Sequence, residues 1–289
     1  NDQNDGGEGR DRQEFFDSNL TSTLYITSTA PMNLEMEWVP SIEIISDNIE
    51  ETAVDLKGGD DRVQVNYANG FSVAQMLLEI RGGAGQDSVT ALLSSLGDIV
   101  QVQTHNDATR IIRQNAPSST LDLYLPLEAL TIDGQGGNDS ITVDGVQSDL
   151  NVTLIGGEGN DILKDGLNFN LSPNRFFQDG GPGDDSLTTG DFSGRGGGRQ
   201  VQAPGVTLSG GEGSDNYKLF FARLPAATVV TDNGSTGTDT VTVDAQGAIV
   251  SETAGSVSGP GKTVTIAGAE SVSVTQKGTS VVHMPTISR

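Results

Sequence analysis

The sequence predicts an all-β protein, a parallel β-helix or β-solenoid with coils of about 25 residues and equivalent turns stacked along one edge. Three observations predict it. One glycine-rich turn recurs along the chain. Its copies are separated by one period or by twice that period. Short segments that alternate apolar and polar residues flank the copies, which is the pattern of half-buried strands.

In chain order, the turn reads Gly-Gly, a spacer, Gly, a spacer and Asp. Gly6-Gly7-Glu8-Gly9-Arg10-Asp11 is the first copy. Gly58-Gly59-Asp60-Asp61 is two residues short. Gly82-Gly83-Ala84-Gly85-Gln86-Asp87 is complete. Gly134-Gln135-Gly136-Gly137-Asn138-Asp139 lacks the second glycine. Three complete copies follow: Gly156-Gly157-Glu158-Gly159-Asn160-Asp161, Gly180-Gly181-Pro182-Gly183-Asp184-Asp185 and Gly210-Gly211-Glu212-Gly213-Ser214-Asp215. Asn233-Gly234-Ser235-Thr236-Gly237-Thr238-Asp239 carries an insertion. By subtraction, successive marker aspartates lie 50, 26, 52, 22, 24, 30 and 24 residues apart. The long gaps are twice the short ones, so each reads as a coil whose turn has lost the signature. Ile266-Ala267-Gly268-Ala269-Glu270-Ser271 reads as a further, eroded turn.

Asn151-Val152-Thr153-Leu154-Ile155 and Leu130-Thr131-Ile132 precede turns, while Ser140-Ile141-Thr142-Val143 and Thr240-Val241-Thr242-Val243 follow them. A unit of about 25 residues accommodates three short strands and three bends, stacked on the next unit at about 4.8 Å. Residues 51–289 form this solenoid, and residues 1–50 are an N-terminal cap or donated strand. Thr23-Leu24-Tyr25-Ile26 and Met36-Glu37-Trp38-Val39 are the strand candidates there. Ser88 to Val100, with Leu92, Leu93 and Leu96, reads as a short covering helix.

Composition agrees. The chain has 289 residues with 38 Gly and 5% aromatics, which suits a narrow core of Val, Ile and Leu. Sixteen Lys+Arg against 39 Asp+Glu give −23, a charge that repels nucleic acid and attracts cations. With no Cys and two His, thiolate zinc sites, disulfides and a His-rich centre are excluded. No stretch approaches the roughly 18 apolar residues of a membrane span. A chain that starts at Asn1 with no leader reads as processed or excised.

The turn's chemistry is that of a hard cation. Glycines allow a tight curl that aims carbonyls inward, and the Asp adds a full charge. Calcium takes six to eight such oxygens at about 2.3–2.6 Å, more than one turn supplies, so two stacked turns must share an ion. The candidate ligand set is Gly58, Asp60 and Asp61; Gly82, Gly83, Gly85 and Asp87; Gly134, Gly136, Asn138 and Asp139; Gly156, Gly157, Gly159 and Asp161; Gly180, Gly181, Gly183 and Asp185; Gly210, Gly211, Gly213 and Asp215; and Gly237 and Asp239. This motif resembles the RTX, or haemolysin-type, calcium-binding repeat. The resemblance covers the turns and not the coil bodies. That family repeats its motif every nine residues, whereas one copy per longer coil implies a single ion-bearing edge. Turns one coil apart pair as 61/87, 139/161, 161/185, 185/215 and 215/239, which makes five Ca2+ sites.

Other features read more plainly. Asp144, Asp165 and Asp244 read as solvated acids, and His105, Arg110 and Arg113 as an exposed cation set on an acidic protein. Gly194 to Arg199 reads as a surface loop. No clustered acid, base and cation marks a catalytic groove, so a polysaccharide lyase or epimerase is the weaker expectation. A flat Thr-rich face for sugar or ice, from Thr142, Thr153, Thr242 and Thr265, is a third. The leading expectation is an extracellular or cell-surface structural protein stiffened by calcium, joined head to tail to itself or to neighbouring domains.

Overall fold

The structure, a computed structural model, describes residues 2–5, 12–17, 20–30, 33–39, 42–47, 51–67, 77–115, 119–147, 150–166, 175–190, 205–253, 255–276 and 279–283. Over 2–5, 28–30, 33–39, 42–47, 276 and 279–283 it describes the backbone alone. The turn ending at Asp11 and the Gly194–Arg199 segment lie outside the described residues.

Two long sheets face one another. Strands are numbered in chain order. The first sheet runs β1 (Asp2–Asp5), β5 (Ile42–Asp47), β4 (Asn33–Val39), β3 (Thr23–Ala30), β7 (Arg62–Asn66), β9 (Ser88–Leu92), β13 (Ala129–Asp133), β15 (Asn151–Ile155), β17 (Arg175–Asp179), β19 (Gly205–Ser209), β21 (Ala227–Thr231), β25 (Lys262–Ala267), β24 (Ser256–Gly259) and β23 (Ser251–Thr253). The second runs β2 (Arg12–Phe16), β6 (Glu51–Asp55), β8 (Leu77–Arg81), β12 (Ser119–Tyr124), β11 (Ala108–Arg113), β10 (Ile99–His105), β14 (Ser140–Val143), β16 (Ile162–Asp165), β18 (Ser186–Thr189), β20 (Asn216–Phe220), β22 (Thr240–Asp244), β26 (Ser271–Gln276) and β27 (Thr279–His283). From β13 to β22 each coil places one strand in each sheet, paired in parallel with the next coil; beyond β22, strands β23, β24 and β25 pair antiparallel in the first sheet and β26 and β27 in the second. This is a parallel β-solenoid. Among the described residues no helix is long and apolar enough to cross a membrane.

Alternation builds the core. In β15, Val152 and Leu154 point in; their register partners in β17 are Phe176 and Gln178, and in β13 Leu130 and Ile132. Across the sheet gap Ile141, Val143 and Leu163 are fully buried. Each such Val, Leu or Ile contributes about 1.5–3 kcal/mol. From β13 to β22 each rung hydrogen-bonds to its neighbours, which pairs the buried backbone.

Four expectations change. A coil holds two strands, not three. The doubled gap between Asp87 and Asp139 is not a silent coil: β10, β11 and β12 form an antiparallel excursion within the second sheet. Ser88–Leu92 is strand β9 and no covering helix, because Val89 and Ala91 fill core positions at period two. Thr23–Thr27 pair in parallel with β7 of the same chain, so this part of the N-terminal segment extends the first sheet.

Candidate metal centre

The turns are built from backbone stacked on backbone. Number the motif one to six from the first glycine to the Asp. The position-four glycines Gly85, Gly159, Gly183, Gly213 and Gly237 all have positive φ. A Cβ there would lie 1.7–1.9 Å from the carbonyl oxygen of the equivalent glycine one coil earlier. Only glycine lets two rungs approach so closely. Position two is similar: a Cβ on Gly157 would sit 2.4 Å from the Gln135 oxygen. The short copy is full length after all, with Lys57 at position two (φ 67) and Gly59 at position four, Gly58 bridging Ala84. In the 134–139 turn, Gln135 takes the positive φ of position two, Gly136 bridges Glu158 and Gly137 fills position four.

Position five forms an outer ladder. The backbone N–H of Asn160 donates to Asn138 Oδ1 at 2.9 Å, Asp184 to Asn160 Oδ1 at 3.1 Å and Ser214 to Asp184 Oδ1 at 2.8 Å. Gln86 donates likewise to Asp60 Oδ1. Asp60 and Asn138 therefore tie exposed rungs together.

Position six forms an inner ladder of buried carboxylates. Asp139 N–H donates to Asp161 Oδ1 (2.7 Å), Asp161 to Asp185 (2.7 Å), Asp185 to Asp215 (2.8 Å) and Asp215 to Asp239 (2.9 Å). Asp98 starts this file by donating to Asp139 Oδ1, and Glu270 ends it by accepting from Asp239. A second file runs Ser22, Asp61, Asp87, Glu128 by the same bonds. The two files lie at opposite edges, because Asp87 leads into β9 whereas Asp98 follows its last residue, and β13 lies parallel beside β9. The expected single edge is thus two. The glycine turns change edge between Asp87 and Asp139, the stretch that also holds the β10–β12 excursion.

Six of the inner carboxylates keep one oxygen without a partner. Oδ2 of Asp61, Asp87, Asp139, Asp161, Asp185 and Asp215 is buried and accepts no hydrogen bond. In five turns Oδ2 lies against the position-one glycine, 2.1–3.1 Å from where its Cβ would be. Burial, opposed by the one N–H bond, raises these acids: Asp61 and Asp215 to about 6, Asp139, Asp185 and Asp239 to about 7. Neighbouring carboxylates push the same way, Asp161 on Asp139 and Asp87 on Asp61. Asp87 and Asp161 are raised too, again mainly by burial.

Compared with family models and with curated proteins, the chain matches none.

Asp98 shows what such a carboxylate takes when no glycine turn surrounds it. Arg113 Nε donates to its Oδ1 at 2.5 Å, and Ser94 donates to its Oδ2 through both N–H (2.9 Å) and Oγ (2.8 Å). Asp98 and Arg113 are both buried. Arg110 holds Asp122 through two bonds of 2.7 and 2.6 Å. These arginines are ion-paired and not an exposed cation set. Asp165 is buried too, accepting from Gly190 N–H, and is no solvated acid.

The sequence reading missed Asp98, Glu128, Asp232 and the role of Glu270. Gly97-Asp98 just before an alternating segment was the available signal for the first. Asp232 stands in a position-one place and meets Asp215 and Asp239, with ligand oxygens within 4.8 Å of one another.

Proposed function

We propose that this chain is an extracellular or cell-surface structural protein, a β-solenoid stiffened by calcium held between stacked turns. The observation that carries the reading is the row of buried carboxylate oxygens left without a donor, one per turn and in register. A buried carboxylate oxygen without a hydrogen-bond donor is costly, and a proton or a cation removes the cost. The donor set is oxygen alone, which suits calcium. Asp61 with Asp87 would hold one ion, and Asp139, Asp161, Asp185, Asp215 and Asp239 would hold four between successive pairs. Bound there, calcium supplies charge neutralisation and a cross-link between coils.

Three further observations support the reading. Arg113 neutralises Asp98, the file's first member. The net charge of −23 calls for cations. The turn motif resembles the RTX repeat, whose weak modular sites suit the calcium-rich exterior of cells. Head-to-tail association belongs to the same proposal, since each sheet ends in a strand with an edge to pair. Sedimentation at low and millimolar calcium tests that part; a monomer in both counts against it. The ion itself is tested by circular dichroism. Calcium should raise the melting temperature and EGTA should lower it or loosen the chain. Identical melting in both would refute the reading.

A further inference from the structure

The last turn of the long file differs from the others in one residue that chemistry makes conspicuous. Thr231 pairs with Ser209, so Asp232 follows in the place Gly210 holds one coil earlier. In the five turns that end at Asp87, Asp139, Asp161, Asp185 and Asp215 that place is glycine, and the Asp of the same turn fills the space a side chain would need. Here a third carboxylate enters. The turn makes room with two extra residues: Gly234 sits over Gly211, and Gly237 over Gly213.

Asp232 is aimed, not loose. Tyr217, itself buried, donates its hydroxyl to Asp232 Oδ2 at 2.9 Å, and Gly234 N–H donates to Oδ1 at 2.9 Å. Asp215 is fully buried, and its Oδ2 accepts nothing. Asp239 Oδ1 accepts a backbone N–H from Asp215, and the Asp239 carboxyl also meets the Glu270 side chain. Among the described residues no Lys or Arg forms an ion pair with any of the three. Three buried carboxylates thus converge with no cation to balance them.

We infer that Asp215, Asp232 and Asp239 form a discrete site for a hard divalent cation of the calcium class; among the described residues they are the one group of three carboxylates whose oxygens lie within 4.8 Å of one another. The inference rests on the inter-turn reading for its class of ion, since Asp215 and Asp239 belong to both. A third carboxylate raises affinity, so this site fills first, about tenfold tighter than the others. It anchors the C-terminal end of the file, where the glycine motif erodes toward Glu270. Tyr217 beside it is a built-in antenna for a bound lanthanide.

Isothermal titration of the full chain with CaCl2, and tyrosine-sensitised luminescence with TbCl3, test this. The wild type should show one tight class ahead of weaker ones, and sensitised terbium emission at the first equivalent. Asp232→Asn should remove that class and most of the emission. Asp232→Gly, which restores the residue of the other turns, should do the same in a chain that folds. Asp161→Asn should remove weaker sites only. If the tight class survives both Asp232 variants, the triad is not the site. If the wild type binds no calcium at all, this inference and the inter-turn reading fall together. If only the tight class exists, the triad stands and the inter-turn ions do not.

Discussion

At the scale of single residues, glycine and Asp divide the work of each turn. Gly159 has φ +130, and a Cβ on it would lie 1.8 Å from Gly137 O. Gly159→Ala should therefore cost about 2–3 kcal/mol, from a forbidden conformation plus a clash against backbone. Gly247 has φ +84 but nothing within 4 Å, so Gly247→Ala should cost only about 1 kcal/mol. Chemical denaturation of the two variants reads the difference. Equal losses would mean that rung stacking is not what selects glycine. Arg113→Met leaves the Asp98 carboxylate buried without its cation and should cost about 3–5 kcal/mol, calcium or no calcium. If calcium rescues that variant, an ion can take the place of the guanidinium. Asp161→Asn removes a ligand from two inter-turn positions, and Asp61→Asn from one. The first should lower calcium-dependent melting more than the second.

Elements carry the pH dependence. In the ion-free chain the long file holds several acids whose folded pKa lies well above the ordinary 3.8, Asp139, Asp185 and Asp239 near 7 and Asp215 near 6. The folded chain then binds more protons than the unfolded one between about 4 and 7. Stability from these groups is full below 3.8 and is lost as pH rises through 6 to 7. In EGTA the melting temperature should fall from pH 5 to pH 8; with calcium the fall should shrink or vanish, because the ion replaces the proton. A flat EGTA profile would show that these carboxylates are not buried as described. Among the described residues, the turn-by-turn alignment was legible in the sequence where Gly-Gly-x-Gly-x-Asp is intact, because that spacing is imposed by contacts between equivalent atoms of successive rungs. It was not legible where other residues adopt the same backbone. Lys57 and Gln135 take positive φ at position two, and no rule of composition announces it. Asp232 was hidden for the opposite reason: it breaks the repeat.

Across the whole molecule, period and alternation were enough to read a parallel solenoid with a narrow aliphatic core. They were not enough to read its two edges. An antiparallel excursion such as β10–β12 adds about one coil's length of sequence and so imitates a silent repeat. In the same stretch the glycine turns change from one edge to the other, which spacing alone cannot encode. The consequence is mechanical. The long file, from Asp98 to Glu270, links successive coils along one edge, while Asp61 to Glu128 links the other only at the N-terminal end. Cross-linking of rungs by ions would thus be strongest in the C-terminal part of the chain. Limited proteolysis in EGTA should cut between β13 and β22 at sites that millimolar calcium protects. Equal cutting with and without calcium would show that ions do not bind these coils together.

The most direct measurement is an anomalous difference map from crystals of the chain grown with calcium or terbium. Bound ions should appear as a row of peaks along one edge, between the turns that end in Asp139, Asp161, Asp185, Asp215 and Asp239, with one more between Asp61 and Asp87 at the opposite edge. A map without peaks at millimolar ion, with the same turns stacked in register, would mean that protons alone satisfy these carboxylates and that the solenoid is not held by metal.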